Sequence, residues 1–158
     1  MKVSEASTVD LDAMLALFPR LAAFDIPANR NPEHLWNGDV QILRDWLAGN
    51  RDDCIAHIAK DDNDGLLGFA LVTLRPELLS RAPSAHLEAI VVADGAEGQG
   101  VASSLLASVE SSAKARGARS MSLTVFAKNE RARKVYERAG YSGELLRYIK
   151  PFSDDALQ

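Results

Sequence analysis

The sequence has few of the features that mark several large classes of protein. It contains one cysteine, Cys54, so no disulfide can form within the chain, and a reducing compartment fits. No apolar run approaches the ~20 residues of a membrane span. The first stretch, MKVSEASTVD, is too polar for a signal peptide. From these absences we expect a soluble cytoplasmic protein.

Basic charge and metal ligands are also scarce. The formal net charge is −4, which gives no general attraction to nucleic acid or to acidic membranes. The three histidines, His34, His57 and His86, lack metal-ligand spacing, so we expect no metal site. The 158 residues, 47% hydrophobic and 25% charged, suit one globular domain over residues 1–158, with 151–158 as a frayed tail.

Hydrophobic patterning predicts alternating strands and helices. Pro19 should kink the first helix near Phe18. Strands joined by short turns should be antiparallel and those joined through helices parallel. The expected fold is α+β in three α/β/α layers: a mixed, mostly antiparallel sheet of about six or seven strands, with helices on both faces. The predicted strands are 3–6, 54–59, 66–74, 85–92, 121–125 and one within 141–150, and the predicted helices are 8–24, 38–48, 101–116 and 129–139.

A glycine-rich turn, VVADGAEGQGVASSLL, separates the strand that ends at Val92 from the following helix. The start of a helix presents unpaired N–H groups and the positive end of its dipole, which together attract anions. Gly98, Gly100 and the small Ala102 would let a phosphate reach the backbone. The alternative is a plain strand-to-helix turn, and the local spacing does not decide between the two.

A second motif lies further along the chain and gives the turn a context. The family pattern Q/R-x-x-G-x-G/A aligns with the turn at 97–102. The pattern N-x-x-A-x-x-x-Y-x-x-x-G-F/Y is complete at 129–141. Together they resemble the GNAT superfamily of acyl-CoA-dependent N-acetyltransferases, over roughly residues 54–150 and, by element order, over the whole chain. The resemblance implies a GNAT-like fold and transfer of an acetyl group from acetyl-CoA to an amine, by direct attack in a ternary complex.

The resemblance also implies a coenzyme site. The turn would hold the pyrophosphate through its main chain, and the strand before it would pair with the pantetheine arm where neighbouring strands splay apart. Asn129 would bond the coenzyme arm or simply cap its helix. The basic residues Lys128, Arg131, Arg133 and Lys134 would meet the adenosine 3′-phosphate or form a solvated face. The candidate coenzyme residues are Ile90, Val91, Val92, Gly98, Gln99, Gly100, Val101, Ala102, Ser103, Asn129, Ala132 and Arg133.

One position departs from the family pattern. Glu97 stands where the family usually has Arg or Gln. A carboxylate beside phosphates is unfavourable, so we expect Glu97 to point to solvent. Tighter acetyl-CoA binding after Glu97→Gln would show that the carboxylate opposes the ligand.

Two residues are candidates for proton transfer. Strand alternation places His86, Glu88, Ile90 and Val92 on one face, and Glu88 is a carboxylate in an otherwise apolar strand. It could accept the proton that a protonated amine must lose, or it could belong to a salt bridge. The resemblance implies Glu88 as general base and Tyr136 as the acid that protonates the leaving thiolate. The alternative for Tyr136 is a core aromatic residue.

The acceptor is not defined by the sequence. The resemblance implicates 24–36, where Asp25, Arg30 and Glu33 are the available charges. A small amine, an aminoglycoside-like molecule, an amino acid and a protein terminus all remain open. The resemblance leaves a homodimer possible. The rival function is a non-catalytic acyl-CoA-binding sensor, and a third interpretation is that the turn binds another nucleotide.

Overall fold

A five-stranded mixed sheet forms the centre of the computed structural model, which describes residues 1–158. The strands are β1 (Lys2–Glu5), β2 (Cys54–Lys60), β3 (Leu66–Pro76), β4 (Pro83–Val92) and β5 (Met121–Leu123). They lie in the order β1-β2-β3-β4-β5. The first three pairs are antiparallel, and β4 and β5 are parallel because a helix connects them.

Four α-helices flank the sheet: α1 (Leu11–Leu17), α2 (Asn37–Leu47), α3 (Val101–Ala115) and α4 (Glu130–Arg138). The predicted break near Phe18 is confirmed, since α1 gives way there to a 3-10 turn, Phe18–Ala22, with Pro19 in its first positions. None of these helices has the length and apolar character needed to cross a membrane.

The two faces of the sheet bury separate cores. On one face, α1 and α2 pack over the sheet; this core includes Met14, Phe18, Leu43, Phe69 and Val91. On the other face, α3 supplies much of the core, which includes Val72, Leu87, Leu105, Leu106 and Val109. The expected α/β/α layering is therefore confirmed.

The strand expected within 141–150 does not form, so the sheet has five strands instead of six or seven. No backbone–backbone hydrogen bond involves residues 142–152. Several apolar side chains of this segment are exposed: Leu145, Leu146, Tyr148, Ile149 and Phe152. Strand-like composition does not supply a pairing partner, and the neighbouring edge strand β5 spans only three residues.

Candidate functional site

A β-bulge at Glu88 shapes the centre of β4. Leu71 of β3 lies opposite Ala89 and Val72 lies opposite Leu87, so Glu88 has no partner in the register. The extra residue interrupts the alternation of side chains. The expected shared face is therefore wrong: Ile90 and Val92 pack with Leu87 on the α3 side, which places His86 on the opposite face.

Beyond the bulge, β4 has a free edge. β5 pairs with β4 only over Ala85–Leu87, whereas β4 continues to Val92. The strands thus separate where the sequence predicted a slot. Apart from the Val92 carbonyl oxygen, which accepts a hydrogen bond from Arg20, the edge from Glu88 to Val92 offers main-chain groups to an extended ligand arm, as an added strand would use them. Val91 is buried in the α1 and α2 core, so only its main chain is available here.

The segment Ala93–Gly100, which we call the coenzyme loop, connects this edge to α3. Gly95, Gly98 and Gly100 have φ angles of 81°, 76° and 78°, in the left-handed region that favours glycine. No atom lies within 4 Å of a Cβ placed on any of the three. None of the backbone N–H groups from Gly98 to Ser103 has a protein acceptor. An open run of free donors at a helix start fits an anionic group such as a pyrophosphate.

Glu97 is exposed, as expected, but its carboxylate is also paired with two arginine side chains. Its Oε1 accepts a hydrogen bond from Arg20 Nη2 at 2.7 Å, and its Oε2 accepts one from Arg131 Nη1 at 2.9 Å. Arg20 Nε also donates to the carbonyl oxygen of Val92 at 2.7 Å, and Nη1 lies 3.9 Å from Asp94 Oδ1. No local pattern predicts this cluster, because Arg20 is 77 positions from Glu97 in the chain.

Glu88 is hydrogen-bonded and largely shielded from water. Thr73 Oγ1 donates to Glu88 Oε1 at 2.6 Å, and Arg75 Nη1 lies 3.9 Å from the same oxygen. The side chain is 17% exposed. The carboxylate therefore has one close neutral partner and one distant cation, and it retains an oxygen, Oε2, that accepts no hydrogen bond within the protein.

Asp39, in the first turn of α2, is a second carboxyl group that the sequence analysis missed. Burial raises the pKa of Asp39 to about 7, and the negative charge of Glu88 contributes to the rise. An acidic residue at a helix start is ordinary, so nothing in the sequence distinguished it. Asp39 is not among the charged residues expected at the acceptor site, which were Asp25, Arg30 and Glu33. The side chains of those three residues form no hydrogen bond or ion pair.

Tyr136 lies on the α3 side of the sheet, as Ile90 and Val92 do. Burial raises the pKa of Tyr136 to about 12, so its phenol stays protonated at neutral pH. Its ring is 6.2 Å from that of Tyr141, whose hydroxyl donates to Glu110 at 2.8 Å. Tyr136 is thus a packing residue whose phenol keeps its proton at neutral pH.

Near the start of α4, the basic side chains of Arg131 and Arg133 make different contacts. Asn129 Oδ1 accepts a hydrogen bond from the Ala132 N–H at 3.3 Å, so Asn129 caps the helix. Arg133 Nη1 donates to the Ala127 carbonyl oxygen at 2.9 Å. Arg131 is the residue of this basic group that reaches the coenzyme loop.

The remaining residues predicted to bind the coenzyme differ in how far their side chains are exposed. Gln99 Nε2 donates to the Gly95 carbonyl oxygen at 3.0 Å, which closes the coenzyme loop on itself. Val101 is buried in the α3-side core, so its side chain belongs to the packing, whereas Ala102 is half-buried and Ser103 is exposed. Main-chain groups are therefore the shared feature of this part of the site.

A known protein family and several solved structures are similar to this chain. Residues 18–141 match the acetyltransferase (GNAT) family. A crystal structure of a probable acetyltransferase is 28% identical, with 97% of this chain and 99% of that chain covered and a TM-score of 0.72. A putative acetyl transferase from Pyrococcus furiosus is 23% identical, with 96% and 100% covered and a TM-score of 0.74.

A third solved structure similar to this chain is AAC(6')-Iy in complex with the bisubstrate analog CoA-S-monomethyl-acetylneamine. It is 23% identical, with 94% of this chain and 97% of that chain covered and a TM-score of 0.70. No curated protein matches the chain. The family match spans most of the sequence and includes the bulged strand, the coenzyme loop and the start of α4. The chain therefore belongs to the GNAT acetyltransferase family.

Proposed function

We propose that this protein transfers an acetyl group from acetyl-CoA to a primary amine, by direct attack within a ternary complex. The observation that carries the proposal is a sequence of three features along the chain. A bulged carboxylate, Glu88, is followed by the free edge of β4 and then by unpaired amides from Gly98 to Ser103. Together they would place a base, an acyl arm and a pyrophosphate in a fixed order.

The coenzyme would be bound mostly by main-chain groups. The amides of Gly98, Gln99, Gly100, Val101, Ala102 and Ser103 would hold the pyrophosphate. The edge at Ile90, Val91 and Val92 would pair with the pantetheine arm, and one of its N–H groups would donate to the oxyanion. Asn129 keeps its amide nitrogen free for the arm, because its oxygen caps α4, and Ala132 and Arg133 would line the same end.

The reaction would require three proton transfers around one exchange of bonds. The bound ammonium group would give a proton to Glu88, directly or through water, and the freed nitrogen would attack the thioester carbonyl carbon. The C–N bond forms and the C–S bond breaks. The Tyr136 hydroxyl would protonate the departing thiolate, and the second proton lost by the nitrogen would restore the phenol.

The acceptor would approach from the α2 side, where Asp39 lies near Glu88. A carboxylate beside a second, partly ionised carboxyl group favours a cationic acceptor, since negative charge attracts an ammonium group. An amine also suits Glu88 Oε2, which accepts no hydrogen bond within the protein.

The proposal is tested by incubating the pure protein with acetyl-CoA and a panel of amines, and by following thiol release and product mass. We expect Glu88→Gln to lower turnover by about a hundredfold or more. Glu5→Gln is the matched control, because Glu5 is exposed on β1 and its side chain forms no hydrogen bond or ion pair.

Three outcomes separate the alternatives. Acetylated product that Glu88→Gln abolishes and Glu5→Gln preserves supports an enzyme with this base. Tight acetyl-CoA binding without any product would instead favour an acyl-CoA-binding sensor. Binding of ATP or NAD in preference to acetyl-CoA would overturn the coenzyme site.

A further inference from the structure

Three charged side chains from distant parts of the sequence meet at the coenzyme loop. Arg20 comes from the 3-10 turn Phe18–Ala22, Glu97 from the loop and Arg131 from the first turn of α4. We propose that Glu97 is a positioning residue that holds Arg131 beside the amides of Gly98–Ser103, where its guanidinium binds the coenzyme pyrophosphate. This inference rests on the proposed use of acetyl-CoA.

The charges within the coenzyme loop support a role for a cationic side chain from another part of the chain. Residues 93–100 carry two carboxylates, Asp94 and Glu97, and no basic side chain. Unpaired, these carboxylates would repel a pyrophosphate. The two arginines cancel their charge, so the loop and its partners are neutral together.

The two arginines have different amounts of hydrogen-bonding capacity left. Arg20 is 25% exposed and is fixed by the Val92 carbonyl oxygen as well as by Glu97. Arg20 therefore ties the end of the β4 edge to the coenzyme loop. Arg131 is 67% exposed and forms one hydrogen bond, through Nη1 to Glu97, so its other N–H donors remain available to a ligand.

The bridging geometry explains how a carboxylate can assist anion binding. A free arginine side chain on a helix surface samples many rotamers, and ordering it costs entropy when a ligand binds. Glu97 orders Arg131 before the ligand arrives, since its two oxygens hold one guanidinium each. Removing the carboxylate would therefore remove a negative charge and still weaken binding.

The test is calorimetric titration of acetyl-CoA into the wild type, Glu97→Gln, Arg131→Gln and the double variant. We expect each single change to weaken binding by about three- to tenfold, as for a partly exposed charge-assisted contact. The double variant should lose less than the product of the two losses, because both changes break one unit.

Glu130→Gln is the matched control. Glu130 adjoins Arg131 on α4, is exposed and forms no hydrogen bond or ion pair through its side chain. Glu130→Gln changes the net charge by the same amount as Glu97→Gln. It should leave binding unchanged or slightly tighter. Added salt should weaken binding less in Arg131→Gln than in the wild type, a difference that a purely structural role would not produce.

Each result bears on a different claim. A wild type that does not bind acetyl-CoA overturns the proposed function itself. A wild type that binds, with Glu97→Gln binding equally or more tightly, overturns the role of Glu97, and additive losses in the double variant overturn the coupling. Titration with 3′-dephospho-CoA tests the ligand group: the same fold loss supports the pyrophosphate, whereas no loss would assign Arg131 to the 3′-phosphate and overturn this assignment.

Discussion

Glu88 and Asp39 show how neighbours set the behaviour of chemically similar side chains. Glu88 accepts a hydrogen bond from the Thr73 hydroxyl at 2.6 Å. Asp39 has no such partner, so nothing offsets its burial and its pKa rises to about 7. The charge of Asp39 therefore changes near neutral pH.

Asp39→Asn should change the pH dependence of stability. An unfolded aspartate titrates near 3.8 and folded Asp39 near 7, so between these values the folded state binds more protons. The free energy of unfolding therefore falls as pH rises through this window, and the loss is complete above about pH 7. At pH 8 the variant should be more stable than the wild type by about 1 to 2 kcal/mol, since the group is only partly shielded.

Urea denaturation at pH 4, 6 and 8 measures this difference. Asp12→Asn serves as the control, because Asp12 is exposed on α1 and forms no hydrogen bond or ion pair. If Asp39→Asn and the wild type gave parallel stability curves, Asp39 would have an ordinary pKa.

Tyr136→Phe should slow the chemical step and preserve the fold. Phenylalanine keeps the contact with the α3-side core, while the substitution removes the proton donor. Under single-turnover conditions we expect a rate about 10- to 100-fold lower, with acetyl-CoA affinity unchanged. Tyr148→Phe, at a tyrosine that is 87% exposed, should have no effect. A wild-type rate in Tyr136→Phe would leave this residue a packing role alone.

At the scale of elements, β4 combines two irregularities that create the site. The bulge at Glu88 changes which side chains face α3, and the early end of β5 at Leu123 frees the edge beyond it. Periodicity predicted β4 as a strand because most of its residues are apolar. It predicted neither irregularity, since both depend on how residues far apart in the chain pair with it.

The conformation of the coenzyme loop predicts a specific cost for Gly100→Ala. Gly100 has φ 78° with no atom near an added Cβ, so the cost is torsional and should be about 1 kcal/mol. Acetyl-CoA binding should weaken as well, because Gly100 lies among the free amides at the N-cap of α3. Gly38 in α2 is the contrast: it also has open space but no positive φ, so Gly38→Ala should stabilise by up to about 1 kcal/mol. Equal stability of the two variants in urea would contradict this.

Across the whole molecule, the sequence predicted what is encoded locally. The glycine-rich turn, the Asn129 cap and the break before Pro19 each depend on a few adjacent residues, and the structure has all three. The missing last strand and the arginine pair on Glu97 depend on partners distant in sequence. Local patterns record what a segment is able to form, whereas the fold decides what lies beside it.

The net charge of the whole molecule differs in sign from the side chains that would meet a phosphate at the coenzyme loop. The chain has a formal charge of −4, which opposes the approach of a polyanion at long range. The arginines at the coenzyme loop act at short range and lie next to free backbone donors. Binding of a phosphorylated ligand would thus depend on this small region and not on the average field.

The unpaired amides from Gly98 to Ser103 also have a consequence for hydrogen exchange. An amide without an acceptor lacks the bond that must open before exchange, so deuterium should enter this stretch rapidly even though α3 follows directly. Strand β3, hydrogen-bonded on both sides, should exchange slowly. A bound pyrophosphate would occupy those amides and slow their exchange, so a peptide covering the coenzyme loop would report binding without any enzymatic assay.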